Sequence, residues 1–413
     1  MLFRSLDRLL RSLIKASQLI VGLAVVILGG ANARADNWGS YQHDPAHTGR
    51  TNSPVNPAKL SLAWTAPEYN GPLVIGDTLY AKRIHDLSTD VSAFSLADGA
   101  LLWTYPGDDV YFANLAVGGP FAVLEGFDFG GGSSDTLRVL DRQTGQLLYA
   151  VELPLSFSFL DPTLVRAPET GAIIAYCSDG ATIVSVALRR NSGRIVWTQN
   201  GDLGTSSVPT VVGDSVIVFG AFAGTAFDRA TGAQHIFYTN RSSANQGAPV
   251  SYNAGRSDFY VRLDYASEEV TNLLAFHYDG NDSIQLLWTR SNPLHQLGGG
   301  VAIGDDGTIY VIGSDEIALV DPEDGSTMQS IVFPFANGST PALSRRVLWV
   351  NSETQTLAFD AASLVFLQAF DTGSNFDLGF DSPGAFVPGT AALKASHANF
   401  RDLDVYRELP SGR

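Results

Sequence analysis

Val139-Leu140-Asp141-Arg142-Gln143-Thr144-Gly145-Gln146-Leu147-Leu148-Tyr149 reads as two short strands joined by a tight turn. An aspartate at the turn's start accepts hydrogen bonds from backbone N–H groups two or three residues on. Gly145 supplies a positive φ where the connection ends, as in a hairpin with a bulge. The unit recurs in Ala226-Phe227-Asp228-Arg229-Ala230-Thr231-Gly232 and Leu319-Val320-Asp321-Pro322-Glu323-Asp324-Gly325. It also recurs in Phe94 to Trp103 around Asp98-Gly99, and in Leu188 to Trp197 around Asn191-Ser192-Gly193. Phe359-Asp360-Ala361-Ala362-Ser363 reads as a copy in which Ser363 replaces the glycine, and Phe276 to Trp288 is a looser one. Trp103, Tyr149 and Trp197 each stand four residues past the glycine, where a ring at a fixed offset can pack against the next unit. From Gly99 to Ser363 the turns recur with a mean spacing of 44 residues.

Upstream of each such turn lies another hairpin. Leu73 to Tyr80 and Val211 to Val218 are apolar runs split at Gly76-Asp77 and Gly213-Asp214. Val301 to Ile312 is split at Asp305-Asp306-Gly307, where a hairpin turn explains the acidic pair better than a fragment of a calcium loop. A unit is therefore four strands, and four-stranded units of 40–45 residues are propeller blades. The expected blades are 72–105, 116–153, 161–200, 206–239, 247–291, 298–333 and 338–370. An eighth begins near Ser382, supplies three strands and ends with Leu403 to Leu409. Leu60-Ser61-Leu62-Ala63-Trp64-Thr65 looks like an outer strand with no blade of its own. Closing the ring with it removes the open edges of a linear array. The fold class expected is thus all-β, an eight-bladed β-propeller closed by its N-terminal strand. The alternative is seven blades with a C-terminal extension. Gly130-Gly131-Gly132-Ser133-Ser134 reads as a loop inside the second blade, so no boundary divides 60–413.

Residues 1–35 differ from the rest. Arg4, Arg8, Arg11 and Lys15 precede an apolar run from Leu19 to Leu28 and an Ala33-Arg34-Ala35 site. These are the parts of a secretory signal peptide, with cleavage expected between Ala35 and Asp36. The run is short for a bilayer span, which needs about 20 apolar residues; a retained anchor is the other reading. The chain is expected to be periplasmic or secreted, with no transmembrane segment after cleavage.

The whole chain has 26 Lys and Arg against 42 Asp and Glu, a net charge of −16. Removing the leader leaves 21 against 41, a net −20. That balance excludes a phosphate-backbone partner, which requires clustered Lys and Arg, so no nucleic acid is expected. Cys177 is the single cysteine, which rules out an intramolecular disulfide, and its apolar surroundings mark it as a small buried residue. There is no Cys-x-x-Cys-His haem site, no Cys/His zinc cluster, no Walker-type loop and no Gly-x-Ser-x-Gly elbow.

The repeat resembles the PQQ-like, or quinoprotein-type, propeller repeat, whose last hairpin carries Asp-x-x-Thr-Gly-x-x-x-Trp. Leu140 to Gly145 and Phe227 to Gly232 match it well. Asp98-Gly99 and Asn191-Ser192-Gly193 keep the turn glycine and the Trp. Trp38-Gly39-Ser40-Tyr41-Gln42-His43-Asp44-Pro45-Ala46-His47-Thr48-Gly49 is similar to the segment that precedes the first strand in secreted members. The resemblance covers 36–413, with 36–59 as an N-terminal segment and 60–413 as the propeller. It implies one of three roles. One is a binding or scaffold protein mediating protein–protein interaction in the cell envelope, like the propeller lipoprotein of the outer-membrane β-barrel assembly machine. Another is a quinoprotein dehydrogenase using PQQ and calcium. The third is a secreted propeller with an unassigned ligand or partner. Adjacent cysteines that cap the cofactor in many such enzymes are missing, and so is the lipid-attachment cysteine of the lipoprotein. A non-catalytic, monomeric binding protein with a protein partner in the envelope is the expectation. No catalytic, cofactor-binding or metal residue is assigned; PQQ and calcium enter only under the alternative.

His43 and His47 flank Asp44, but Pro45 and Gly49 make this a loop, so a role in fastening the segment over the ring is expected rather than a metal site. His85, His235, His277, His295 and His397 show no partner motif. Trp64, Trp103, Trp197 and Trp288 fall at the outer-strand position and Trp349 in an apolar strand, so all five are read as packing residues; Trp38 lies outside the ring pattern. Binding is expected at the rim loops and the central channel.

Overall fold

In the computed structural model the described residues are 37, 39 and 42–409, apart from 86–87, 108–109, 129–133, 157–159, 169, 201–206, 221, 240–245, 248, 266–269, 281–282, 293–298, 314–315, 333–339, 353, 373–383 and 398–399. The leader, Trp38 and His295 therefore lie outside them, as does the side chain of His397. No described helix is long and apolar enough to cross a membrane.

The chain forms an eight-bladed propeller of four-stranded antiparallel blades. Blade 1 runs from Asn70 to Tyr105, blade 2 from Val110 to Glu152, blade 3 from Thr163 to Asn200 and blade 4 from Thr210 to Thr239. Blades 5, 6 and 7 span Ser251–Asn292, Ala302–Val332 and Ala342–Asp371. Blade 8 takes its three inner strands from Gly384–Val387, Thr390–His397 and Phe400–Glu408. Its outer strand is Leu60–Ala66, antiparallel to Phe400–Glu408 with Leu60 opposite Glu408 and Ala66 opposite Leu403. The ring is closed by its two ends, and the seven-bladed alternative is overturned.

The turn chemistry is as the sequence implies. Asp141 Oδ1 accepts from the backbone N–H of Gln143 and Thr144 at 3.0 and 3.1 Å. Gly145 sits at φ +71°. A Cβ there would lie 2.5 Å from the Trp103 ring, so glycine is required for close approach as well as for conformation. The Trp103 indole N–H donates to the Arg142 carbonyl at 3.1 Å, tying blade 1 to blade 2. Trp64 on Gly99, Trp197 on Gly232 and Trp288 on Gly325 repeat the arrangement. Tyr149 does the same over Gly193 through its hydroxyl, which donates to the Arg189 carbonyl at 2.7 Å.

One reading is corrected. Ser363 does not replace the blade 7 glycine. It stands where threonine stands elsewhere, its hydroxyl donating to Asp360 Oδ1 at 2.7 Å. Leu364 holds the glycine place at φ +53°, and its N–H donates to the Asp360 carbonyl at 2.8 Å, as Gly145 N–H does to Asp141. The shift by one residue was hidden because leucine is an unexpected occupant of the left-handed region.

Each outer strand pairs with its neighbour through a register shift, for example between Leu147 and Tyr149 in blade 2 and between Leu62 and Trp64 in blade 8. Such bulges bend an edge strand and blunt it as a template for pairing. Core clusters lie between blades, with Trp349, Tyr176, Tyr260 and several phenylalanines fully buried.

Candidate functional site

The segment before the propeller is the most constrained non-repetitive part of the molecule. It crosses the ends of the innermost strands and meets the blades in chain order. Asn37 Oδ1 accepts from Gly76 N–H of blade 1 at 2.9 Å. The Gly39 carbonyl accepts from Val117 N–H of blade 2 at 2.8 Å. The carbonyls of Pro45 and Ala46 accept from Val211 of blade 4 and Tyr252 of blade 5, each at 2.8 Å. Those of Thr48 and Gly49 accept from Ile303 of blade 6 at 3.0 Å and Leu343 of blade 7 at 2.7 Å. Arg50–Thr51 pairs in parallel with the first strand of blade 7, and the Pro54 carbonyl accepts from Gly389 N–H of blade 8 at 2.9 Å. The segment then turns through Pro57–Lys59 into the outer strand of blade 8. It is a strap across one end of the ring.

Blade 3 is reached by a side chain. His47 is completely buried, with Nε2 3.4 Å from Thr163 Oγ1 of blade 3 and Nδ1 2.9 Å from Thr210 Oγ1 of blade 4. Thr163 donates its proton to the Pro209 carbonyl at 2.6 Å. A neutral ring carrying its proton on Nε2, donating to Thr163 and accepting from Thr210, satisfies all of these contacts. Burial lowers the His47 pKa from 6.5 to about 4 despite the opposing pull of the Asp44 charge. Asp44 organises the loop: Oδ1 accepts from Ala46 N–H at 3.0 Å and Thr48 N–H at 3.2 Å, and Oδ2 from the Thr48 hydroxyl at 2.6 Å. Burial would raise its pKa, but the bonds from His43 and Thr48 outweigh that and hold it below 3.8. Gln42, also fully buried, donates from Nε2 to the Val301 carbonyl at 3.2 Å. Gln42, His43 and His47 are three of the seven non-glycine residues with positive φ among the described residues, so the loop is held in a costly shape by its surroundings.

The inner strands beneath are joined by a belt of hydroxyls. Besides Thr163, Thr210 lies 3.0 Å from the Val250 carbonyl, and Ser251 donates to the Val301 carbonyl at 2.9 Å. Thr340 accepts from Gly300 N–H at 2.7 Å.

The structure thus places His47 against the ring, in the fastening position expected of it, and His43 against Asp44 within the strap, 3.3 Å away. Two of the other described histidines pair with aspartates in their own blades. His85 lies 3.1 Å from Asp90 in blade 1, and His277 Nδ1 donates to Asp258 Oδ1 at 2.8 Å in blade 5. Cys177 is buried, and burial together with Glu125 pushes its thiol well up. Glu125 and Asp135, both fully buried beside it, were missed by sequence reasoning. Glu125 is visible in the sequence as a charge interrupting the apolar run Phe121 to Phe127. Among the described residues no group of three or more His, Cys, Asp and Glu stands where it would hold a metal ion.

A second surface is set by the outer strands. The exposed large apolar side chains among the described residues lie mostly along them, including Leu62, Leu101, Leu102, Leu286, Phe366 and Leu367.

No family model and no curated protein matches the chain. Solved structures do. A europium-containing methanol dehydrogenase aligns with a TM-score of 0.64 at 13% identity, over 90% of this chain and 98% of its own. BamB from Moraxella catarrhalis aligns at 0.59 and 15%, over 84% and 99%. The quinohemoprotein alcohol dehydrogenase of Comamonas testosteroni aligns at 0.62 and 12%, over 94% and 82%. At these identities the likeness shows the propeller fold alone, which dehydrogenases and BamB share, and nothing in it decides between their roles.

Proposed function

We propose that this chain is an exported, non-catalytic propeller that binds a protein partner in the cell envelope. The observation that carries the reading is the outer surface. Exposed apolar side chains that gather on one surface mark interaction sites, and here exposed Leu, Ile, Met and Phe recur on the outer strands of most blades, which carry few charges. The strap supports it from the other side, because one end of the ring is occupied by the chain itself. Binding energy would then come from outer strands and the opposite rim. The leader's composition supports export, with mature protein starting at Asp36 in the periplasm or outside the cell.

Under the dehydrogenase alternative, PQQ would supply the redox chemistry with a calcium ion beside it. Among the described residues no group of three or more His, Cys, Asp and Glu stands where it would hold that ion, and no chemical step is derived from them.

The test is to mix mature protein with PQQ and Ca²⁺ and assay dye-linked alcohol oxidation. No stoichiometric binding and no turnover is expected; tight binding with turnover overturns the proposal. In parallel, photo-crosslinkers at Leu102 and Phe366 should capture one protein reproducibly from the envelope fraction. Labelled peptides from that fraction also check cleavage at Ala35.

A further inference from the structure

Five of the fourteen exposed large apolar side chains among the described residues lie on two neighbouring blades. Met328 and Val332 stand on the outer strand of blade 6, Thr327–Val332. Val365 precedes the outer strand of blade 7, Phe366–Asp371, and Phe366 and Leu367 begin it. Val332 is 80% exposed and Phe366 51%. The two blades meet where Gln329 donates to the Ser363 carbonyl at 2.7 Å. We propose that this face is where two copies of the ring associate about a two-fold axis.

The face coincides with a departure from the repeat. In blades 1, 3, 5 and 8 an indole on the outer strand lies over the next blade's turn, so its apolar area is inside the junction. Blades 6 and 7 carry Gln329 and Gln368 at that ladder position, opposite Leu319 and Ala358, as Trp103 is opposite Ala93. Met328 and Leu367 are the extra residues of the bulges beside them. A bulge twists an edge away from strand addition, so contact on this face comes from side chains.

Charge selects the occupant. Thr327–Val332 holds no charged residue, and Phe366–Asp371 holds one, Asp371, at its far end. Arg290 of blade 5 reaches the start of the first strand and donates to Thr327 Oγ1 at 2.6 Å. The chain as a whole has 26 basic against 42 acidic side chains. A cationic partner gains by meeting that excess and gains nothing from a surface that lacks it. A second copy carries the same excess, and net charge of one sign holds copies apart. A nearly charge-free apolar face lets two such rings touch with their charges at the periphery. It also complements itself, as a two-fold contact requires, because each copy presents the same residues.

Five side chains cover less than the roughly 1,600 Å² of a standard interface, so the association is weak, with Kd on the order of 1–100 μM. It does not depend on the envelope partner, for which the remaining outer strands and the opposite rim stay free. Failure of one reading leaves the other standing.

Sedimentation equilibrium on the mature chain between about 1 and about 200 μM tests the proposal. A monomer–dimer equilibrium is expected. It should tighten as salt rises, because screening removes repulsion between like-charged copies. Phe366→Glu, at an exposed position, should weaken it at least about 10-fold, whereas Leu102→Glu on blade 1 should leave it unchanged. In the purified protein a photo-crosslinker at Phe366 should join two copies and one at Leu102 should not. A monomer at every concentration, association that weakens with salt, growth beyond the dimer, or equal loss in Leu102→Glu and Phe366→Glu overturns the proposal. Should Phe366→Glu melt differently from wild type, Val332→Glu at the other end of the face is expected to show the same loss, and its absence overturns the proposal.

Discussion

Adjacent blades are joined in two different ways. At the junctions of blades 8 and 1, 1 and 2, 3 and 4, and 5 and 6, a tryptophan on the outer strand lies over the next blade's turn glycine and donates to a turn carbonyl. At the junctions of blades 4 and 5 and of blades 7 and 8 the aromatic contact is internal. Phe219 and Phe237 of blade 4 pack with Phe259 and Phe276 of blade 5, at ring separations of 5.0–5.7 Å. Trp349 of blade 7 stacks on Phe386 of blade 8 at 4.6 Å, and Phe370 meets Tyr406 edge-on at 5.0 Å. The junction of blades 6 and 7 is intermediate: Gln329 replaces the indole and donates to the Ser363 carbonyl at 2.7 Å, beside Leu364 in place of glycine. A ring needs continuity at every junction, but not the same contact at each.

Removing 36–66 tests the contrast where it is largest. The deletion takes away the strap, the outer strand of blade 8 and Trp64. Loss of cooperative melting by circular dichroism is expected, because the blade 7–8 junction cannot compensate for an open neighbour. A truncated chain that melts with the full-length protein would refute closure.

The next largest effect is at a single indole. Trp103→Ala removes a mostly buried ring and its hydrogen bond, and should cost about 3–5 kcal/mol in denaturant titrations. Phe237→Ala should cost a similar amount if the internal cluster is equivalent to docking. A cost at Phe237 below about 1 kcal/mol would show that the docked junctions dominate.

What was legible in the sequence follows the same division. Docked junctions use residues at fixed offsets, so Asp141, Gly145 and Tyr149 are visible as a repeat. Internal junctions use strand residues such as Phe219 and Phe386, whose partner blade is set by register and twist rather than spacing. The strap's position was legible through His43 to Gly49, because Pro45 and Gly49 exclude a helix. Its contacts with blades 2 and 4 to 8 were not, since backbone bonds leave no mark on side-chain identity. The Leu364 shift was missed because the pattern demanded a small residue and Ser363 offered one.

Gly145→Ala and Leu364→Gly probe the turn from both sides. The first adds a Cβ at positive φ and 2.5 Å from Trp103, and should cost about 2–4 kcal/mol. The second relieves about 1–2 kcal/mol of backbone strain. It also removes a side chain that is 3% exposed, a loss of about 2–5 kcal/mol. Burial is the larger quantity, so Leu364→Gly should destabilise by about 2 kcal/mol, although it restores the repeat's own residue. A gain in stability would mean that Leu364 is tolerated rather than used.

The smallest effect separates ring from hydrogen bond. Trp197→Phe keeps an aromatic face over Gly232 and loses the indole donor to the Arg229 carbonyl, 3.0 Å away. One such bond is worth about 1 kcal/mol net, and the smaller ring adds a little packing loss. A change near 1 kcal/mol would assign most of the docking energy to the stacked face, which is what the internal clusters at blades 4–5 and 7–8 supply without any turn glycine. A loss approaching that of Trp103→Ala would assign it to the hydrogen bond, and Gln329, which keeps a side-chain donor to the next turn without a ring, would then be the closer functional equivalent of tryptophan.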